Sequence, residues 1–289
     1  MTTSAFARLA FVSACAAVLL AGCERAPDVP FAPYGEAASA RPDFAQVEHD
    51  HPLSAADLAK ITPGNLAKLD QEQIDQIYAR LSAGPIPDGP FDGTLFFPKG
   101  VSGDRRLAEI VGGLGGFVVN LKGAKLELIG RTLWKGKVFY RDQRVLRNRI
   151  EDLSILKPII DDPQSLDKIV VDGRDAWLLF PAKLYCGQSL IDSRRESIII
   201  DYAFSDEIDG YRERPDFLAG RRGLRVRDEI RMVRPGFYLG RAYADRAFLL
   251  NFTLYNTTIA ERDGPVFQKT GAIAEDCWSG TRRVVAAAP

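Results

Sequence analysis

An α+β fold, made of an antiparallel β-barrel or strongly curved sheet preceded by short helices, is what this 289-residue sequence predicts. Three observations carry the prediction. Residues 225 to 255 hold three consecutive runs of period two, separated by two turn signals, and period two is the mark of a strand with unlike faces. Residues 53 to 84 hold two capped helical patterns. Between 85 and 281, further short apolar runs are bounded by Gly, Pro and Asp, as strands in a meandering sheet are.

The meander is the most informative stretch. Arg225 to Val233, Phe237 to Tyr243 and Ala247 to Tyr255 read as strands. Arg234-Pro235-Gly236-Phe237 and Ala244-Asp245-Arg246-Ala247 read as the turns between them. With Arg234 facing Phe237 and Ala244 facing Ala247, Met232 is expected opposite Leu239, Ile230 opposite Arg241 and Asp228 opposite Tyr243. One face then collects Val226, Asp228, Ile230, Met232, Phe237, Leu239, Arg241, Tyr243, Phe248, Leu250, Phe252 and Leu254. Arg225, Arg227, Glu229, Arg231, Tyr238, Asn251 and Thr253 fall on the other face, which suits water. Two charged groups, Asp228 and Arg241, interrupt the inward set. They read either as a buried ion pair capped by the Tyr243 hydroxyl or as ligand-binding residues lining a cavity, and in both readings they lie together.

In order along the chain, Ser54 is placed to cap a helix through Lys60, and Asp70 to cap another whose Ile74, Ile77, Tyr78 and Leu81 form one apolar stripe. Phe91 to Phe97 reads as the first strand. Asp104 to Leu121 has helical character broken by Gly112-Gly113-Leu114-Gly115-Gly116. Val118 stands where a dinucleotide fingerprint needs glycine. Ile150 to Pro163 holds a short helix, and Asp172-Gly173 turns a hairpin between Ile169 to Val171 and Ala176 to Phe180. Glu196 to Phe204 reads as a strand that directs Ile198, Ile200, Tyr202 and Phe204 to one face and Ser197, Ile199 and Asp201 to the other. Asp201, Asp206, Glu207 and Asp209 read as a solvated acidic loop without the ordered spacing of an EF-hand. A last strand is expected at Pro265 to Thr270.

The N-terminus carries Arg8, an apolar run from Leu9 to Leu20 and then Leu20-Ala21-Gly22-Cys23. This resembles the lipobox of bacterial lipoproteins. The resemblance implies cleavage before Cys23, lipidation of Cys23 and attachment to a lipid bilayer. With Glu24 rather than Asp after the cysteine, it implies sorting to the outer membrane, on the periplasmic side of the cell envelope. Residues 1 to 22 are then a signal peptide, 23 to 52 a flexible tether, 53 to 84 a helical segment packed on the barrel, 85 to 281 the β domain and 282 to 289 a flexible tail. Cys15 leaves with the signal and Cys23 takes the lipid, so Cys186 and Cys277 remain as a disulfide pair or as two buried thiols, and the oxidising compartment favours the pair.

Leu133-Trp134-Lys135-Gly136-Lys137-Val138-Phe139 resembles the tryptophan-glycine signature of GXWXG-type, lipocalin-like β-barrel proteins, and Asp228-Glu229-Ile230-Arg231 resembles a polar strand motif of the same group. The first GXWXG element itself is absent. The resemblance implies a barrel whose interior holds a small apolar ligand.

Composition narrows the function. Formal charge is balanced at 38 basic and 38 acidic side chains, and only Arg8 departs with the signal, so nothing suggests nucleic acid as a partner. Both histidines, His49 and His51, lie before the folded body, which excludes Ser-His-Asp and Cys-His catalysis and a histidine-ligated zinc centre within that body. No metal and no cofactor is expected. The leading expectation is a non-catalytic, anchored binding protein for a small apolar or amphipathic molecule. The alternatives are an enzyme using carboxylate, tyrosine and arginine groups, with Asp228 as base and Arg241 as anion stabiliser, or an interaction subunit of an envelope complex.

Overall fold

The computed structural model describes residues 24–33, 43–100, 134–154 and 156–280. Nine antiparallel strands follow in sequence: β1 (Gly89–Phe96), β2 (Trp134–Tyr140), β3 (Val145–Ile150), β4 (Lys168–Val171), β5 (Arg174–Gln188), β6 (Glu196–Asp201), β7 (Val226–Arg234), β8 (Phe237–Ala244) and β9 (Ala247–Tyr255). They pair in the order β3-β2-β1-β9-β8-β7-β6-β5-β4. A further pairing of β3 with β5, from Val145↔Lys183 to Ile150↔Trp177, closes the ring. The result is an eight-stranded antiparallel barrel with β4 as a short flap on β5. Closure leaves no unpaired edge in the ring, the condition that flat sheets of this size fail to meet.

The helices preceding the barrel form as their caps dictate. α1 (Phe44–Asp50) is capped by Asp43. α2 (Ala55–Lys60) starts with a capping box between Ser54 and Asp57, and α3 (Gln71–Arg80) with one between Asp70 and Gln73. Ile74, Ile77, Tyr78 and Leu81 of the α3 stripe pack with Val233, Phe237 and Leu239 on the outside of β7 and β8. A final helix, α4 (Thr257–Thr270), replaces the strand expected at Pro265 to Thr270 and adds Phe267 to the same layer. Asn256 caps it, Pro265 sits in its interior, and it ends at a left-handed Gly271.

The segment expected to be a tether differs over its described part. Val29 is buried in the helical layer, and residues 44–50 are helical rather than irregular. The expected lipobox at Leu20 to Cys23, the glycine-rich run at 112–116 and residues 282–289 lie outside the described residues.

Inside the barrel, Phe91, Phe139, Leu146, Ile198, Ile200, Ile230, Met232, Phe252 and Leu254 make one apolar core. Gly240 exists to seat the Phe252 ring, which a Cβ would overlap. One end is stoppered. Tyr238 donates to the Pro85 carbonyl at 2.6 Å. Glu275 and Asp276 accept from the backbone of Gly84 and Ile86 at 2.8 Å each. The expected disulfide is present, Cys186 to Cys277, and holds this tail in place.

Candidate functional site

Register decides which side chains share the barrel interior, and here the meander departs from expectation. Arg234 does face Phe237, but Val233 bulges, so Met232 lies opposite Tyr238, Ile230 opposite Gly240 and Asp228 opposite Ala242. A slip of one residue turns every side chain of β8 over. Tyr238, Gly240 and Ala242 therefore face the interior, while Phe237, Leu239, Arg241 and Tyr243 face outward. Leu249 forms a second bulge, Tyr243 pairs with Phe248, and Phe248 turns outward too.

Asp228 and Arg241 consequently lie on opposite sides of the sheet, and the expected pair between them does not form. On the outside, Arg241 binds Asp75 of α3, donates to the Tyr243 hydroxyl at 2.9 Å and lies 4.5 Å from the Phe248 ring centre. The outer face expected to meet water is covered by the helices. Arg231 is fully buried against Asp192 at 3.0 Å and Ser197, Glu229 accepts from Ser189 and the Leu190 backbone, and Asn251 and Thr253 are buried.

Inside, the partner of Asp228 is Lys137 of β2, at 3.1 Å. Lys137 Nζ also donates to the Tyr202 hydroxyl at 2.6 Å and to Asn148 Oδ1 at 3.0 Å, so all its N–H groups are engaged. Asn148 in turn donates to Tyr202 and to the Phe180 carbonyl, each at 3.0 Å, and accepts from the Trp134 indole at 2.8 Å. The ammonium stands among the rings of Trp134, Tyr202 and Phe252 at 5.3 to 5.5 Å from their centres. Lys135 bulges between Trp134 and Gly136, and Gly136, at φ 139°, takes the backbone turn of a bulge that aims Lys137 inward.

The electrostatics fix the protonation state. Burial pulls the Lys137 ammonium down, but Tyr202 and Asp228 beside it outweigh burial and leave its pKa raised. Burial pushes Asp228 above the usual carboxylate range, with Lys137 pulling it back. Burial pushes the Tyr202 phenol up to about 12. At neutral pH the amine is therefore a cation and the phenol is neutral, which removes Lys137 as a nucleophile and Tyr202 as a base.

Around the end of the barrel opposite the stopper, Leu95, Trp134, Phe180, Val226 and Leu250 pack on the core and stay partly exposed. Trp134 belongs to both the rim and the polar cluster. Tyr202 was legible as an inward residue, whereas Lys137 and Asn148 were missed. The available signal was Gly136, since a glycine inside a strand marks a bulge.

Other candidates resolve as surface structure. Asp206 pairs with Arg221, Glu207 with Lys183, and Asp201 accepts from the Tyr185 hydroxyl. His49 lies in the last turn of α1, and the His51 carbonyl accepts from Arg80. Cys186, Glu196 and Cys277 cluster, but the two sulfurs are bonded to each other.

No protein-family model and no curated protein matches the chain. Among solved structures, the crystal structure of a protein from Thermomonospora curvata has 18% identity and a TM-score of 0.35, covering 70% of this chain and 97% of its own. The barrel assignment rests on the strand pairings themselves.

Proposed function

We propose that this protein is a lipid-anchored binding protein of the bacterial envelope, whose lipocalin-like barrel receives a small amphipathic molecule at its rim. The observation that carries the reading is the partly exposed apolar ring of Leu95, Trp134, Phe180, Val226 and Leu250, set directly on the buried cluster of Lys137, Asn148, Tyr202 and Asp228. Apolar walls with a few fixed polar groups are the composition of small-molecule sites. The packed core below and the stopper at the far end favour a shallow seat over a deep cavity. Asp228 keeps a place near the ligand in this reading, whereas Arg241 and Tyr243 belong to the helix interface.

The anchor part of the proposal is supported by Leu20-Ala21-Gly22-Cys23, and residence in an oxidising compartment accords with the Cys186 to Cys277 bond. The protonated state of Lys137 counts against an amine-based enzyme.

Native mass spectrometry of protein extracted from bacterial membranes tests the binding reading. A co-purified small molecule that disappears in Leu250→Arg, with the fold retained by circular dichroism, is the expected result. Protein that carries no ligand and, with Trp177 and Trp278 replaced by Phe, leaves Trp134 fluorescence unmoved by fatty acids or phospholipids would overturn it.

A further inference from the structure

The chain immediately after the lipidated cysteine is strapped down. Glu24 accepts from the Thr62 hydroxyl and fills the space over Gly64, where a Cβ would overlap its carboxylate. Lys60 donates to the Asp28 carbonyl at 3.0 Å and Arg80 to the Pro30 carbonyl at 2.9 Å. Gln76 pairs with the Ala32 backbone in both directions, accepting at 3.0 Å and donating at 3.1 Å, and Val29 is buried. Phe31 lies under the Arg80 guanidinium at 5.7 Å. These contacts run from Glu24 to Ala32 along α2, the Thr62–Asn65 turn and α3.

From this we infer that the protein sits flush on the bilayer, with the turn at Thr62–Asn65 against the lipid headgroups. The inference rests on the proposed lipidation of Cys23. Consecutive Cα atoms are about 3.8 Å apart, so a lipid on Cys23 leaves almost no slack before the docked Glu24. A flexible tether over residues 23 to 52 would instead let the domain stand off by about 30 Å. The face beside the anchor mixes charges: exposed Arg25, Lys60 and Lys68 alternate with exposed Asp28 and Asp70. The covalent anchor, and not attraction to anionic lipid, therefore sets the distance, which makes it insensitive to salt.

Neutron reflectometry of the full lipidated protein on a phosphatidylethanolamine–phosphatidylglycerol bilayer reads this distance. The expected result is protein density beginning within about 10 Å of the headgroups at low and high salt, widening toward about 30 Å when a Gly/Ser spacer of about 30 residues separates Cys23 from Glu24. A native gap equal to that of the spacer variant would overturn the flush arrangement alone. Protein that carries no acyl mass on Cys23 and fails to bind would overturn it together with the lipoprotein reading.

Discussion

Lys137 Nζ and Asp228 Oδ2 lie 3.1 Å apart inside the barrel, on strands β2 and β7, and each is nearly without solvent contact. Removing one member leaves an uncompensated buried charge, a loss of about 3–5 kcal/mol, whereas replacing both by apolar groups of similar volume is close to neutral. Asp228→Ala is thus expected to lower the urea midpoint far more than the double variant Lys137→Met/Asp228→Leu. A full denaturation cycle measures the coupling, and additive losses would refute the pair as a structural unit.

Most strands of the meander were legible because the two turns fix where they begin and end. Their facing was not, and the reason lies in β8. Phe237, Tyr238, Leu239, Ala242 and Tyr243 place apolar groups on both sides, because helices cover the outside of the barrel while the core fills the inside. Alternation then carries no information about facing, and the bulge at Val233 decides it. Arg231 misled for a related reason. A charged residue on an alternating strand reads as solvated, yet Asp192, Ser197 and the carbonyls of Tyr78 and Arg195 satisfy it completely under α3.

Acid is expected to loosen the helical layer before the barrel. Burial raises the Glu48 and Asp192 pKa values, but hydrogen bonds and charge from Arg195 and Arg194 on Glu48, and from Arg194 and Arg231 on Asp192, leave both lowered. A carboxylate with a lowered folded pKa stabilises above its unfolded value and loses that contribution as pH falls through the folded value. Asp228 is raised, so its contribution has the opposite sign and is complete below the unfolded value. Hydrogen exchange between pH 7 and pH 3 should show residues 44–84 losing protection first, and Asp192→Asn should flatten the change. Simultaneous loss across β1 to β9 would contradict this.

The disulfide closes a sequence separation of 91 residues and ties the stopper to β5. Cys186→Ser/Cys277→Ser is expected to cost about 2–4 kcal/mol, chiefly through the freer unfolded chain. It should also raise amide exchange at Gly84 and Ile86, whose N–H groups Glu275 and Asp276 accept. Unchanged exchange at those two amides would mean that the tail stays docked without the bond.

Gly240 and Gly136 should respond differently to alanine, because what each would strike differs. At Gly240 the atoms nearest a Cβ belong to the Phe252 ring, so Gly240→Ala is expected to cost about 1–3 kcal/mol and to be partly rescued by Phe252→Leu. At Gly136 it meets the Phe91 carbonyl oxygen, and φ 139° is itself hostile to an L side chain. No side-chain trimming relieves a backbone collision, so Gly136→Ala should displace the bulge that aims Lys137 inward. Thermal melting combined with amide exchange along β2 and β3 distinguishes the two: Gly240→Ala shifts the midpoint with native exchange there, whereas Gly136→Ala shifts both. Native exchange along β2 and β3 in a folded Gly136→Ala protein would show that Lys137 keeps its place without that bulge.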